Sequence, residues 1–333
     1  MRGAPIGVFD SGVGGLTVLK ALVAELPHEH FVYLGDTARL PYGTKSPETV
    51  ARYAVQAAEA LAEYGVKCLV IACNTASSVG LPAIREHIRS MPVIGVIEPG
   101  AQAACAASKT GHIAVIATEG TVRGGAYQEA ILRIRGHAHV IALPTQLFVA
   151  LAEEGLHEGP IADSVARHYL DPIFHAPRAA MSSRDMKAQP DTMAPSGTKA
   201  HPDMTAPPST VARSNMMARP TMTALPNTMA PPDTLVLGCT HFPMLAGAIR
   251  AAVGPNIQIV DSAATTAKSV RETLQRESLM RGDASTGSGA LSGPAGTGAI
   301  RFLATDSIER FVRIGTRFLE RPIDPEEVEL IDL

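Results

Sequence analysis

Two of the four cysteines stand in near-copies of one phrase, Leu69-Val70-Ile71-Ala72-Cys73-Asn74-Thr75 and Leu235-Val236-Leu237-Gly238-Cys239-Thr240-His241. Each follows a short apolar run and precedes small hydroxyl or amide residues and then a helical pattern. The order reads as strand, turn, helix, with a thiol at the carboxyl end of the strand. In open α/β sheets that edge faces the ligand crevice. The positive N-terminus of the next helix lowers a thiol pKa from about 8.5 toward a reactive value. A lone strand-end cysteine is most often a small buried apolar residue. Two matched ones suggest a thiol acting on each side of a single substrate.

Other candidates for chemistry lie at similar strand ends. Asp10-Ser11-Gly12-Val13-Gly14-Gly15-Leu16-Thr17 follows the apolar run Ile6–Phe9. Its glycines permit close backbone approach to a ligand, and a helix starting near Leu16 is expected to point free N–H groups at it. The loop lacks the Gly-Lys-Ser/Thr ending of a P-loop and the Gly-x-Gly-x-x-Gly dinucleotide fingerprint. A bound carboxylate suits the same donors, Asp10 can bind an ammonium or orient a thiol, and a tight turn with a capping Asp or Ser is the bland alternative. Gly35 to Lys45 is a turn-rich loop after a second strand at Phe31–Leu34, and it places the Tyr42 hydroxyl and backbone donors at the same edge. Glu153 and Glu154 sit late in a helical pattern near its Gly155 stop, where an acidic pair is ordinarily solvated. His241 stands two residues after Cys239, either against a ligand or satisfied within its turn. Cys68 falls at the far end of the Cys73 strand and Cys105 in an Ala-rich helical run, and both read as structural.

The elements that must position these residues form an internal repeat. Ile6-Gly7-Val8-Phe9-Asp10-Ser11 has a counterpart in Ile113-Ala114-Val115-Ile116-Ala117-Thr118, and the cysteine phrases continue into Ala83-Ile84-Arg85 and Ala248-Ile249-Arg250. Strands alternating with helices predict parallel βαβ units. The expected fold is therefore α/β: two pseudo-symmetric, doubly wound parallel-sheet domains with the active site in the cleft between them. One domain is expected over 1–97 plus 263–333 and the other over 98–262. The first-strand anchors are 107 residues apart and the cysteines 166 apart, so the second half holds about 59 more residues. A composition shift locates them, because 176–232 carries 10 of the 25 prolines, 8 of the 12 methionines and no aromatic residue. Repeated prolines block helix and sheet alike, so this stretch is expected to be a disordered surface insertion. Gly282 to Gly298 reads as a flexible loop before a last helical pattern at Ser307–Leu319.

Bulk composition narrows the function. The chain has 333 residues, is 46% hydrophobic and 18% charged, and carries a net charge of −3. That suits two domains with a sizeable core and no strong affinity for polyanions. Lys and Arg form no basic stripe, so no nucleic-acid partner is expected. No run reaches the roughly 18 apolar residues of a membrane span. The start leads directly into a strand, so neither signal peptide nor membrane partner is expected. Cys68, Cys73, Cys105 and Cys239 lack zinc spacing, and no metal site is expected. Free thiols fit a reducing, cytoplasmic setting.

The ordered motifs Asp-Ser-Gly-Val-Gly-Gly-Leu at 10–16, Leu-Pro-Tyr-Gly at 40–43, Ala-Cys-Asn-Thr-Ala at 72–76, Val-Ile-Glu-Pro-Gly at 96–100 and Leu-Gly-Cys-Thr-His at 237–241 resemble those of glutamate racemase, within the aspartate/glutamate racemase superfamily. The resemblance runs over nearly the whole chain outside its two loose segments. It implies interconversion of L- and D-glutamate without a cofactor, supplying D-glutamate for peptidoglycan synthesis. Cys73 and Cys239 would then be proton-transfer thiols on opposite faces of the α-carbon, with no covalent bond to substrate. The same resemblance implies that Asp10 assists near Cys73, with Glu153 and His241 near Cys239. It further implies that Asp10, Ser11, Tyr42, Gly43, Asn74, Thr75, Thr118, Thr121, Thr240 and His241 hold the substrate. Aspartate as the substrate, or a non-catalytic relative that inhibits a topoisomerase, are the alternatives. The insertion is foreign to the family pattern but interrupts no motif, so activity is expected to survive it. A homodimer is implied as well, although a long insertion can redirect its contact surface.

Overall fold

The computed structural model describes residues 2–175, 230–282 and 298–333. The insertion expected at 176–232 therefore lies outside the described residues except for Ala230–Pro232, as does the loop expected at 282–298 except for its ends. In the first stretch, β1 (Ile6–Asp10), β2 (Phe31–Gly35), β3 (Cys68–Ile71) and β4 (Val93–Gly95) alternate with α1 (Leu16–Glu25), α2 (Pro47–Glu63), α3 (Asn74–Val79) and α4 (Leu81–His87). The second stretch runs α5 (Ile97–Ala107), β5 (His112–Ala117), α6 (Glu119–Gly124), α7 (Ala126–Ile134) and β6 (His139–Pro144). It continues with α8 (Leu147–Glu154), α9 (Pro160–Phe174), β7 (Thr234–Gly238), α10 (Ala246–Val253) and β8 (Gln258–Asp261). After these come α11 (Ser262–Arg276), β9 (Ile300–Ala304), α12 (Ile308–Leu319) and β10 (Val328–Leu330).

The strands form two sheets, one of six strands ordered β10-β9-β2-β1-β3-β4 and one of four ordered β6-β5-β7-β8. Every pairing is parallel. Parallel sheets are covered by helices on both faces, which is why the central strands are continuously apolar rather than alternating. All of β1, β2, β3 and β7 is buried. The order β2-β1-β3-β4 recurs as β6-β5-β7-β8, so the repeat seen in the residues is a repeat of topology. It sets β3 and β7, the two strands before Cys73 and Cys239, in equivalent places.

Helix faces supply the cores. In α2 the buried residues Val50, Ala54, Ala57, Ala58 and Leu61 return at helical spacing and meet Phe9, Leu34, Leu69 and Ile71 of the larger sheet. Ser46 caps this helix by accepting from the Thr49 N–H at 3.3 Å, and Pro47 occupies its first turn. Around the smaller sheet, Ile97 and Ala101 of α5 and Tyr127 and Ile131 of α7 pack on Ile113, Val115 and Val236. The last helix, α12, buries Phe311, Ile314, Phe318 and Leu319 on one face and leaves arginines on the other. None of the described helices is long and apolar enough to cross a membrane.

Away from the site, the amino edge of the larger sheet holds a buried ion pair between Lys67 and Glu29. Lys67 Nζ also donates to the carbonyls of Arg2 and Leu279, each at 2.8 Å, while Glu29 Oε1 accepts from the Arg281 N–H at 2.8 Å. Two buried charges persist here because both are paired and hydrogen-bonded. Gly298 N–H donates to Pro27 O and Ala299 N–H to His30 Nδ1, so both flanks of 283–297 are fastened to the turn before β2.

Candidate active site

Both thiols stand just beyond the carboxyl ends of their strands and line the same pocket. Ser11, Tyr42, Gly43, Asn74, Thr75, Thr118, Glu153, Thr240 and His241 line it with them. Asp10 and Thr121 stand behind this wall. A larger open groove, bordered by Arg85, Arg89, Arg133 and Arg276, contains neither thiol and none of these residues. The strand-end thiols therefore identify the chemical site better than cavity size does.

Cys73 is the residue before α3. Its Sγ accepts from the Ala76 N–H at 3.4 Å and donates to Ser11 Oγ at 3.3 Å. The Ala76 amide stabilises a thiolate, as the strand-turn-helix reading anticipated, and Ser11 does so when its hydroxyl turns to donate to the sulfur. The expected lowering of its pKa is nevertheless overturned. Burial dominates, the Asp10 charge adds to it, and together they push Cys73 up to about 12. Asp10 itself lies at the end of β1, fully buried, and burial raises its carboxyl while His241 and the Gly15 and Gly12 amides pull the other way. The Gly12 N–H donates to Asp10 Oδ2 at 3.0 Å. The loop thus turns one of its own amides onto the Asp10 carboxylate.

Cys239 differs. The helix expected directly after it is displaced by a 3-10 turn, Phe242–Leu245, with Pro243 near its start, and α10 begins only at Ala246. Its partner is a side chain instead: Sγ lies 3.6 Å from His241 Nδ1. His241 Nε2 lies 3.1 Å from Glu153 Oε1. The second Glu153 oxygen accepts from Arg310 at 3.0 Å. Burial alone would strip the charge from His241, but hydrogen bonding to and attraction from Cys239 and Glu153 outweigh it and hold the imidazole up at about 10. For Glu153, burial works upward, yet His241 and Arg310 keep the carboxyl below its ordinary range. Gly155, at φ +77°, ends α8 in the left-handed region and leaves Glu153 in the last turn, facing His241, while Glu154 is exposed. The Phe318 ring of α12 meets the His241 ring edge-on at 5.2 Å.

The polar wall joins the two halves of the chain. Thr75 Oγ1 lies 2.9 Å from Thr118 Oγ1 and 3.2 Å from Thr121 Oγ1, and the latter two are 2.9 Å apart. Asn74 Oδ1 accepts from the Tyr127 hydroxyl at 2.8 Å, while the buried Asn74 Nδ2 has no partner. A buried amide donor without an acceptor is costly, and on a pocket wall it is a ready contact for a carboxylate. The Tyr42 hydroxyl, expected to serve the ligand, donates to the buried Asp36 instead. Close approach explains the loop glycines: a Cβ on Gly14 would stand 2.5 Å from His241, and one on Gly43 2.7 Å from Thr118.

Five wall residues lie outside the candidates drawn from the sequence: Leu40, Pro41, Gly12, Gln146 and Val149. The first two sit inside the Leu-Pro-Tyr-Gly motif. Gln146, Val149 and Glu153 follow one another at spacings of three and four, the signal of one helical face. Arg310 and Asp36 carry no such local signal. Among the described residues no three His, Cys, Asp or Glu side chains cluster as a metal site requires.

A family model for Asp/Glu/hydantoin racemases matches residues 6–169. A glutamate racemase of Geobacter metallireducens is 39% identical over 314 residues, covering 94% of this chain and 92% of the relative. One of Thermus thermophilus is 39% identical over 330 residues, covering 99% and 98%. The Thermus thermophilus glutamate racemase solved with beta-chloro-D-alanine matches with a TM-score of 0.71 at 37% identity, covering 100% of this chain and 98% of that one. The Francisella tularensis glutamate racemase solved with D-glutamate matches with a TM-score of 0.74 at 28% identity, with coverage of 100% and 98%. Likeness of this extent, in sequence and in fold, means that the chain belongs to the glutamate racemases of the Asp/Glu/hydantoin racemase family.

Proposed function

We propose that this chain interconverts L- and D-glutamate by two-base proton transfer, with Cys73 and Cys239 on opposite faces of the α-carbon, and so supplies D-glutamate for peptidoglycan. The observation that carries the reading is the pair of thiols at equivalent strand ends of a repeated topology, lining one pocket with different proton-handling partners. Inversion needs one group to take the α-proton from one side while a second delivers a proton to the other. A thiolate at Cys239 is stabilised by the His241 imidazolium, and Glu153 in turn stabilises that cation. At Cys73 burial, with the Asp10 charge added, keeps the thiol strongly basic, suited to holding a proton until the developing carbanion takes it. In the reverse direction the two thiols exchange roles. Asn74, Thr75, Thr118, Thr240, Ser11 and the Gly43 backbone are assigned to the substrate's carboxylates and amine, Thr121 holds Thr75 and Thr118 from behind, and Tyr42 shapes the wall from its Asp36 anchor. Fixed donors in a site closed to bulk water stabilise the carbanion-like transition state more than they would in solution. Four unpaired thiols suit a cytoplasmic setting.

Circular dichroism of the purified enzyme with L-glutamate, D-glutamate and aspartate tests this. Racemisation of glutamate from either side is expected, and each of Cys73→Ala and Cys239→Ala should lower kcat by roughly 10²–10⁴-fold. Turnover of aspartate alone would reassign the substrate. Substantial racemisation by either alanine variant would sink the two-thiol mechanism.

A further inference from the structure

We propose that Arg310 is a positioning residue for the racemisation, reaching from α12 to α8 to hold Glu153 against His241 and so fix the pair beside Cys239, a role that presupposes the racemase reading. Glu153 and His241 belong to elements around the four-stranded sheet, α8 and the turn after β7. The last helix, α12, belongs instead to the other half, where Phe311 packs on Tyr33 of β2 and Phe302 of β9. One guanidinium therefore ties the Cys239 side of the pocket to the opposite half of the molecule.

The geometry assigns each carboxylate oxygen of Glu153 a separate partner. Oε1 faces His241 Nε2 at 3.1 Å and Oε2 faces Arg310 Nη2 at 3.0 Å. Rotation of the carboxylate about its last bond breaks both contacts at once. Without the guanidinium, only His241 restrains Glu153, and Glu153 is the group that orients the imidazole toward Cys239. Arg310 stands outside the pocket wall and reaches it through Glu153. The charged groups that act most strongly on Glu153 are His241 from the turn after β7 and Arg310 from α12, and its charge is felt by Asp10 of β1. A second arginine of the same helix, Arg317, lies against Gly155 just past the end of α8, so α12 presents its basic face to this acidic helix end. The ring contact between Phe318 and His241 comes from the same helix. Contacts from α12 thus reach both members of the Glu153–His241 pair.

The test is a double-mutant cycle on racemisation, with Arg310→Ala, Arg310→Lys, Glu153→Gln and the Arg310→Ala/Glu153→Gln double variant. Arg310→Ala should lower kcat roughly five- to ten-fold and leave KM within about two-fold, because the lost interaction acts on proton transfer and not on substrate binding. Arg310→Lys should recover most of that loss, and the double variant should be no slower than Glu153→Gln alone, since coupled residues give non-additive losses. An unchanged kcat in Arg310→Ala, a rise in KM with kcat intact, or losses that multiply in the double variant would each overturn the role. So would an Arg310→Lys variant as slow as Arg310→Ala. Failure of the unaltered enzyme to racemise glutamate would instead strike the racemase reading itself.

Discussion

At the residue scale, Cys73 and Cys239 occupy equivalent places in the topology yet answer to different neighbours. Cys73 has Ser11, the Ala76 amide and the charge of Asp10, whereas Cys239 has an imidazole. With its thiol at about 12 and only 4% of its surface exposed, Cys73 holds its proton at rest. Thiolate is the reactive form, and at pH 8 little of Cys73 is in it. Iodoacetamide at pH 8 should therefore leave Cys73 largely unmodified over a period that alkylates a small free thiol completely, as read by peptide mass spectrometry. Rapid alkylation at Cys73 would contradict the assignment of its resting state. The residue types and their pairing were legible in the sequence, because a thiol phrase repeated at two strand ends is a local pattern. The direction of the Cys73 shift was not legible. A helix N-terminus can be read from neighbours in sequence, but burial and the Asp10 charge arrive through β1, 63 positions earlier in the chain. The Tyr42 hydroxyl was misdirected for a similar reason, since its partner Asp36 becomes buried only when the loop folds back.

At the scale of elements, α12 shows how far local pattern reaches. The run Ser307–Leu319 reads as a helix from its residues, and the structure caps it at Ser307 and buries Phe311, Ile314 and Phe318 along one stripe. What the stripe packs against, and that its opposite face delivers Arg310 to Glu153, depends on contacts spanning 157 positions that no window of sequence contains. Phe311 is fully buried between Tyr33 and Phe302 and is the pin that seats this helix. Truncation of a buried Phe to Ala removes its apolar contacts and leaves a cavity, at a cost of about 3–5 kcal/mol. Phe311→Ala should accordingly lower the urea midpoint of unfolding. It should also slow racemisation in the surviving folded fraction, since Arg310 and Phe318 ride on the same helix. An unchanged midpoint would show that α12 is seated by other contacts. The 3-10 turn after Cys239 was missed because the apolar pattern there fits either helix type.

For the whole molecule, the doubled strand order β2-β1-β3-β4 and β6-β5-β7-β8 is the feature the residues announced most clearly. Parallel strands buried on both faces leave long apolar runs, and two copies of one arrangement leave those runs in matching order. The two outer strands β9 and β10 were not foreseen as additions to the first sheet. The pairing of β9 with β2 joins residues nearly 270 positions apart, and β10 adds to β9. Every described element and every site residue lies within 2–175, 230–282 and 298–333. Replacing 177–228 with a Gly/Ser linker of about 12 residues, which spans roughly 20 Å, should leave kcat/KM within about three-fold of the intact chain. A loss of several hundred-fold in a folded deletion variant would show that this stretch serves the site.

The unlike surroundings of the two thiols carry one further consequence. L- and D-glutamate are mirror images and have equal free energies in water, so their equilibrium constant is unity. Whatever the environments of Cys73 and Cys239, kcat/KM must therefore be the same for both enantiomers at every pH. The asymmetry of the pocket can appear only in how that shared quotient is divided: the enantiomer with the lower KM is turned over more slowly, by the same factor.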